Sequence, residues 1–377
     1  MKIAVICAYA QAYNTGMLSV DLSALSVMRR TFGKGVKVDF FTVEDDHDAG
    51  RVGSIHLKYS KLSNVSQLSG YDRILLWGDF LANGFYHRRD LMSRFKSREG
   101  DGFKPSLRKA VNLLLMRDLP DSMLKRTICF GGSLFGNALE DELDNTYIES
   151  IRRLYSGSRL VLTRDPMSAF YAQRYSGWCL NDPLGVDAAW LLQPFDDIAW
   201  NESREKSQNS LRIGLSFGRG LTKNDDSLGV LNRFSETLLK NLPGCVEDIG
   251  WLKANRSNPL AGLLKKLGTV GEMDLIITDT YHCAINAWRE GTPALCIGRG
   301  ADMTYGTLSE KKKELVYTSV NARDYYLFYE NIRENPVQYA EKILSAIPGF
   351  IQGSGRVRDS FLKASIASGN RLADALI

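Results

Sequence analysis

Runs rich in apolar residues alternate along this chain with stretches of helical spacing. Such runs occur at Ile3–Cys7, Val36–Phe41 and Arg73–Trp77, and short runs of this kind are typical of buried strands. After the first run, apolar side chains recur every three or four residues from Leu18 to Met28, which predicts a helix with one buried face. The alternation continues and predicts an α/β protein with mainly parallel sheets.

One polar stretch divides this alternation into two series. Residues 201–210, NESREKSQNS, contain no apolar side chain, and such a segment is typical of a linker between domains. We therefore predict an N-terminal Rossmann-like domain over residues 1–200, a linker over 201–210 and a C-terminal Rossmann-like domain over 211–350. A C-terminal helix over 351–377 is expected to return to the first domain. Two such domains facing a cleft form the GT-B arrangement.

The segment Met273–Arg299 is the most ordered pattern in the second series. An apolar strand at Leu275–Ile277 is followed by the cap-forming residues Thr278, Asp279 and Thr280, and then by a helix that ends at Gly291. His282 is expected in the first turn of that helix, at the carboxyl end of the strand. Anions bind at helix N-termini, and ligands collect at this edge of parallel sheets. His282 is a candidate phosphate ligand or proton donor; a local capping or packing role is the alternative.

Other candidate residues also follow predicted strands. Asn14 and Gly16 lie in a loop after the first strand, which is either a ligand-binding loop or a plain connection. Ser133 ends a Gly-Gly-Ser turn, where backbone can approach a ligand or simply pack. Arg164 follows a strand at Leu160–Leu162, and an arginine there suits bidentate capture of a carboxylate or phosphate. The alternative for Arg164 is a surface ion pair with Asp165, which would contribute little.

Composition and charge exclude several classes of function. The 377 residues carry 48 basic and 43 acidic side chains, and the net charge of +5 does not indicate a nucleic-acid partner. A small basic excess suits an anionic substrate or peripheral association with a membrane surface. The short basic runs His87–Arg89 and Lys311–Lys313 are expected to be solvated. No apolar run approaches membrane-spanning length, no signal peptide is evident, and the six scattered cysteines suit a reduced, cytoplasmic protein.

No metal site is predicted. The chain has no Cys-x-x-Cys pair and no cluster of cysteines and histidines with metal-ligand spacing. Activity without a divalent ion is therefore expected.

Several of these motifs resemble those of the polysaccharide pyruvyl transferase family. The run from Ile277 to His282, followed by Ala287 and Gly291-Thr-Pro293, resembles the C-terminal motif of that family. Leu162-Thr-Arg164-Asp165-x-x-Ser168 resembles its Arg-Asp-x-x-Ser motif, and Asp182-Pro183 resembles the Asp-Pro that follows it. The loops at Asn14–Gly16 and Trp77-Gly78-Asp79 fall where the family has glycine-bearing loops. The resemblance covers roughly residues 3–347.

This sequence departs from the family pattern beside the histidine. Many members have an arginine two residues before it, where this chain has Thr280, and many have glycine after it, where this chain has Cys283. Other members carry a Thr-Asp-Ser-Phe-His form, which is closer to this motif with its Tyr281. Arg219 and Arg299, each following a predicted strand, are candidates to replace the absent arginine.

The resemblance implies a transferase that moves the enolpyruvyl unit of phosphoenolpyruvate onto two sugar hydroxyls, forming a pyruvate ketal and releasing phosphate. It implies no cofactor, with phosphoenolpyruvate as the donor substrate, and a saccharide acceptor of a bacterial-type surface polysaccharide or its lipid-linked precursor. A cytoplasmic location, at the inner face of the membrane for a lipid-linked acceptor, follows. By resemblance, His282 is the proton donor or phosphate partner, and Arg164 holds an anionic group of the donor.

Two other classes of function remain open from the sequence. One is a GT-B glycosyltransferase, either nucleotide-sugar-dependent or sialyltransferase-like, because Ala287 to Pro293 also resembles the Glu-Ala-x-x-x-Gly-x-Pro run of retaining enzymes. The two glutamates of that run would fall at Thr278 and Asn286, so its ribose and donor contacts are missing. The other is a non-catalytic sugar-binding module.

Overall fold

The strands of this protein form two separate sheets. The computed structural model describes residues 1–7, 14–78, 81–87, 103–134, 145–196, 198, 200, 211–218, 225–242, 244–300 and 305–377. The first sheet has the order β3-β4-β2-β1-β5-β6-β7. Its strands are β1 (Lys2–Cys7), β2 (Lys37–Thr42), β3 (His47–Val52), β4 (Ile55–Lys61), β5 (Arg73–Trp77), β6 (Thr127–Gly132) and β7 (Leu160–Thr163).

The second sheet has five strands in the order β12-β11-β10-β8-β9, all paired in parallel. Its strands are β8 (Leu211–Ser216), β9 (Gly244–Asp248), β10 (Leu275–Thr278), β11 (Ala294–Gly298) and β12 (Tyr326–Phe328). Two mainly parallel sheets in one chain confirm the predicted α/β class with two Rossmann-like halves. The predicted linker at 201–210 lies outside the described residues, and the domain boundaries stay predictions.

Helices connect the strands in both halves. In the first half they are α1 (Thr15–Phe32), α2 (Gly84–Tyr86), α3 (Phe103–Leu114), α4 (Asp121–Leu124), α5 (Asn145–Gly157) and α6 (Pro166–Tyr175), with 3₁₀ turns at Val65–Leu68 and Ala188–Leu191. In the second half they are α7 (Asp225–Asn241), α8 (Pro259–Gly271), α9 (Tyr281–Arg289), α10 (Tyr305–Ser319), α11 (Tyr329–Glu334) and α12 (Pro336–Leu376), with a 3₁₀ turn at Arg323–Tyr325.

The C-terminal segment differs from its prediction. A separate C-terminal helix is predicted over residues 351–377, whereas α12 begins at Pro336 and is one helix of 41 residues with Pro348 inside it. A helix can retain an internal proline when the packing of its apolar face outweighs the lost hydrogen bond. Here Val357, Phe361 and Leu372 are buried, and α12 contacts elements of both halves, including β7 and α9.

The two halves meet along the N-terminus of α1. Lys266 Nζ of α8 donates to Thr15 Oγ1 at 3.2 Å, and Asn286 Nδ2 of α9 donates to Ser19 Oγ at 3.0 Å. Farther out, Asn258 Nδ2 donates to the backbone oxygen of Arg51 at 3.1 Å. Because α1 and α9 both begin at the carboxyl ends of their strands, this junction brings two helix N-termini together. It is the cleft in which a ligand of this fold is expected.

A buried carboxyl group on α1, that of Asp21, makes the stability of the protein depend on pH. Burial raises the pKa of Asp21 from 3.8 to about 7, although its Oδ2 accepts a hydrogen bond from Tyr59 at 2.7 Å. The folded protein therefore binds this proton more tightly than the unfolded chain does, and the stability present at low pH is lost as pH rises through about 7.

Asp21→Asn should remove this dependence. The free energy of unfolding of wild type relative to Asp21→Asn is expected to fall by roughly 3–4 kcal/mol between about pH 4 and pH 7. Urea unfolding of both proteins at several pH values measures the difference. A difference that is the same at every pH would show that Asp21 ionises normally.

Candidate active site

The turn before α9 is held by hydrogen bonds among the residues that end β10. Thr278 Oγ1 donates to the backbone oxygen of Ser216 at 2.6 Å, and the amide of Thr280 donates to Thr278 Oγ1 at 3.0 Å. Both carboxylate oxygens of Asp279 accept from the amide of Gly218 at 3.1 Å, and Thr280 Oγ1 donates to Asp279. Thr280 is the N-cap of α9, so His282 is the second residue of the helix.

His282 faces the first half of the protein across the cleft. Its side chain is only 11% exposed. A Cβ atom added to Gly16 would lie 2.8 Å from both Cβ and Nδ1 of His282, so only glycine permits this close approach. Gly16 is held in place by the N-terminus of α1, where the side chain of Asn14 caps the helix by accepting from the amide of Met17. Gly16, which the sequence places in a loop, is thus the second residue of α1, and the first turn of this helix forms the wall against which the imidazole packs.

Arg164 lies inside the protein at the end of β7. The side chains of Arg164 and Asp165 are both fully buried, so the alternative of a surface ion pair is wrong. Arg164 Nη1 lies 3.4 Å from Asp187 Oδ2, and its Nε lies 3.9 Å from Asp165 Oδ2. Asp165 also caps α6 by accepting from the amide of Ser168 at 2.8 Å. Because α6 begins directly after Arg164, the guanidinium group is fixed at the cleft edge of the first sheet.

Asp187 joins the two candidate residues, and the sequence analysis missed it. Its Oδ2 lies 3.4 Å from Arg164 Nη1 and 3.7 Å from His282 Nε2. The second distance is an ion-pair separation, longer than a hydrogen bond. Asp187 follows an irregular stretch without periodicity, so no helix or strand pattern pointed to it. The available signal was local, since an Asp before a short helical turn is a preferred cap.

Basic groups from both halves lie near Tyr281 and the turn before it. The ring of Tyr281 has Arg164 Cζ at 5.2 Å from its centroid and Lys312 Nζ at 5.9 Å. Lys313 Nζ donates to the backbone oxygen of Asp279 at 2.8 Å and to Glu310 at 2.6 Å. Burial acts to lower the pKa of Lys313, but neighbouring acidic groups, Glu310 first, outweigh it and raise that pKa. The expectation that the basic run ending in Lys313 is solvated is wrong for Lys313.

The basic run at His87 also differs from its expectation. His87 is fully buried, and its Nε2 lies 2.6 Å from the backbone oxygen of Leu81. Burial lowers the pKa of His87 to about 4, so this side chain is neutral at physiological pH. The other basic residues of that run lie outside the described residues.

The remaining predicted site residues lie at several places. Ser133 is buried, and its backbone oxygen accepts from Asn83 Nδ2 at 3.2 Å. Gly78, with φ of 100°, packs against Val20 of α1. Arg299 donates to Ser227 Oγ at 2.8 Å and lies over the ring of Tyr329, which places it among α7 and α11. Arg219 lies outside the described residues.

Asp182, the first residue of the predicted Asp-Pro motif, lies at the surface. Its side chain is 72% exposed and pairs with Arg371 of α12 at 3.4 Å. This contact ties the C-terminal helix to the first half of the chain.

Thr278 and Asn286 occupy the two positions where a retaining glycosyltransferase has glutamates, and both side chains are buried and hydrogen-bonded. Thr278 is bound to the backbone of Ser216. Asn286 Nδ2 donates to Ser19 Oγ at 3.0 Å and to the backbone oxygen of His282 at 2.8 Å. These side chains therefore hold the turn and the contact between the halves in place.

Two absences hold for the residues that the structure describes. In them, no group of three or more His, Cys, Asp or Glu side chains is arranged to hold a metal ion. Among the described helices, none combines the length and apolar character that a membrane crossing requires.

Comparison with known proteins gives a family and a fold. A family model described as "Polysaccharide pyruvyl transferase" matches residues 46–300. No curated protein matches the chain. Among solved structures, the S. aureus MnaA–UDP co-structure aligns with a TM-score of 0.50 at 11% identity, covering 100% of this chain and 97% of that one. Sucrose-phosphate synthase from Thermosynechococcus elongatus aligns with a TM-score of 0.50 at 12% identity, covering 99% and 98%. At such identities the likeness concerns the fold alone, which is the GT-B arrangement.

Proposed function

Since this chain belongs to the polysaccharide pyruvyl transferase family, we propose that it moves the enolpyruvyl unit of phosphoenolpyruvate onto two hydroxyls of a saccharide. The product is a pyruvate ketal, and inorganic phosphate is released. The proposed acceptor is a sugar of a bacterial-type surface polysaccharide or of its lipid-linked precursor. A lipid-linked acceptor would place the enzyme at the inner face of the membrane.

The convergence of Arg164 and His282 carries this proposal. The two side chains come from opposite halves of the protein, yet both lie within 4 Å of the same carboxylate oxygen of Asp187. Each follows a strand at the cleft edge of its sheet, beside a helix N-terminus. A donor with a carboxylate and a phosphate needs cations and helix N-termini at one place, together with a proton source.

In the proposed reaction, His282 delivers a proton to the methylene carbon of phosphoenolpyruvate, which becomes the methyl group of the ketal. The neighbouring carbon then becomes electrophilic and accepts one sugar hydroxyl, which loses its proton. Phosphate leaves with the electrons of its C–O bond and takes up a proton, and the second sugar hydroxyl adds in its place and loses its own proton. The two hydroxyl protons thus balance the protons gained by the methylene carbon and by phosphate. A positioned general acid of this kind typically contributes about 10²–10⁴-fold to the rate. Arg164 would hold an anionic group of the donor in register with His282.

His282 is nearly buried between the two halves in this arrangement. Its side chain is 11% exposed and packs against Gly16. We therefore propose that the donor enters an opened cleft and that closure brings the imidazole to the reacting carbon. Closure of this kind excludes water from the reacting groups.

Phosphoenolpyruvate should raise the melting temperature of the protein, and nucleotide sugars should have little effect. The reason is that the cleft offers cations and helix N-termini to a small anion with a carboxylate and a phosphate, whereas the glutamate positions of a retaining glycosyltransferase are occupied by Thr278 and Asn286. Thermal-shift titration with phosphoenolpyruvate and with a panel of nucleotide sugars measures this.

Matched ligands make that titration specific. Inorganic phosphate and pyruvate, tested at the same ionic strength, should each shift the melting temperature less than phosphoenolpyruvate because each carries only part of the donor. Strong stabilisation by a nucleotide sugar, with none by phosphoenolpyruvate, would favour the glycosyltransferase alternative.

Transfer should also proceed without a divalent ion. Phosphate release assayed with excess chelator is expected to match the rate with magnesium, because the proposed site uses arginine, histidine and helix N-termini to bind anions. A rate that collapses in chelator and returns with magnesium or manganese would contradict this expectation.

A further inference from the structure

Asp187 is oriented by its own turn. It is the N-cap of the 3₁₀ turn Ala188–Leu191, and its Oδ1 accepts a hydrogen bond from the amide of Ala189 at 2.9 Å. Its Oδ2 then faces Arg164 and His282, at 3.4 and 3.7 Å. The residue is only 3% exposed. One carboxylate oxygen of Asp187 therefore binds the backbone of its own turn, and the other lies beside Arg164 and His282.

The turn that carries Asp187 is fixed from several sides. A Cβ atom on Gly131 would lie 3.1 Å from Cβ of Ala188, so the turn packs closely on the end of β6. The ring of Trp190 stacks on Phe361 of α12 with centroids 4.0 Å apart. Arg289 of α9 donates to the backbone oxygen of Leu192 at 2.9 Å. Elements of both halves thus hold the carboxylate in one position, as a precise site requires.

The other charged groups near His282 carry both signs, and they include the carboxylates of Asp279, in the turn before α9, and Asp165, beside Arg164. Lys312 of α10 lies over the neighbouring ring of Tyr281. Lys266 of α8 is bound to Thr15 beside Gly16, and Arg358 of α12 approaches the far end of α9, at Gly291. The N-terminus of α9 itself disfavours a positive imidazole. Asp187 supplies a carboxylate that forms an ion pair with His282.

We propose that Asp187 is a positioning residue that holds His282 in its protonated form and aligns it with Arg164. The role rests on the proposed transfer, in which His282 must carry a proton before it can give one. An opposite charge within about 4–6 Å favours the charged form of a titrating group. A carboxylate partner also fixes the orientation of an imidazole ring. Asp187 acts through His282 and Arg164 and does not itself transfer a proton to the donor.

The test replaces Asp187 by asparagine and follows His282 directly. Asparagine keeps the size of the side chain and its ability to cap the turn, but removes the charge. The chain has four histidines, so a histidine-selective NMR titration resolves few signals, and His282→Ala assigns the relevant one. We expect the titration midpoint of His282 to fall by about one pH unit or more in Asp187→Asn.

Asp182→Asn is the matched control. It removes an exposed carboxylate from the same connection, where it pairs with Arg371, and should leave the midpoint of His282 unchanged. Asp187→Ser, which retains a capping oxygen without charge, serves as a second variant should the asparagine protein fold poorly. Circular dichroism establishes that each variant is folded.

Turnover supplies the second measurement. If the proposed transfer occurs, the decline of kcat at high pH should begin about one unit lower in Asp187→Asn, and kcat should change more than the KM for phosphoenolpyruvate. If the role of Asp187 is purely structural, Asp187→Asn should lower thermal stability without shifting the pH at which kcat declines.

The two measurements separate the two proposals. A shifted midpoint in a protein that does not use phosphoenolpyruvate would overturn the proposed function and keep the role of Asp187 as the partner of His282. An unshifted midpoint in an active protein would overturn the positioning role and leave the proposed function intact.

Discussion

Replacing His282 by alanine is expected to lower turnover of phosphoenolpyruvate by about 10²–10⁴-fold, the usual contribution of a positioned acid. The affinity for the donor should fall much less, because Arg164 and the helix N-termini of the cleft remain to bind its anionic groups. Single-turnover rates and donor titration on the same preparation measure the two effects. A histidine that only contacts phosphate would lose affinity and turnover together.

The packing of His282 against Gly16 calls for two controls. Alanine leaves a cavity at this contact, so His282→Gln, which fills more of it without supplying an acid, should show a similar loss of turnover with less loss of stability. His56→Ala is the matched control on another histidine, since His56 pairs with Asp48 at 2.9 Å in the β3–β4 hairpin and is 35% exposed. Normal turnover in folded His282→Ala would refute the assignment of His282 as the acid.

Replacing Arg164 by alanine is expected to weaken donor binding first and to destabilise the protein as well. The guanidinium group is fully buried between Asp165 and Asp187, so its removal leaves two carboxylates without that cation. Breaking a buried ion pair in this way typically costs roughly 3–5 kcal/mol. Chemical unfolding measures the loss of stability, and donor titration below the melting temperature measures the loss of affinity.

Arg164→Lys separates charge from geometry. Lysine keeps the positive charge between the two carboxylates but loses the planar, bidentate donor, so stability should largely return while donor affinity stays low. Arg212→Lys is the matched control, because Arg212 also pairs with two carboxylates, Glu272 at 3.1 Å and Glu247 at 3.3 Å, but is 30% exposed and lies at the start of β8. Donor affinity as high in Arg164→Lys as in wild type would argue against a bidentate contact.

The sequence pattern predicts the α/β class, most strands and the helix that carries His282, because these depend on local periodicity and caps. It fails at elements whose local signal is weak. Strand β3 has the sequence His-Asp-Ala-Gly-Arg-Val and pairs antiparallel with β4 at the edge of the first sheet, so it has little apolar pattern. Strand β12 has only three residues, too few for a period to be visible.

The candidate site likewise combines positions that the sequence predicts with contacts that only the tertiary structure determines. The positions of Arg164 and His282, each directly after a strand, could be predicted because the residues that end a strand and begin a helix are neighbours in the chain. The burial of Arg164, the approach of Gly16 to His282 and the ion pairs of Asp187 could not. Residues 16, 164, 187 and 282 are separated by long stretches of chain, and they come together only when both sheets have formed and the two halves pack along α1. Contacts of that kind depend on three-dimensional packing, which no local pattern of residues encodes.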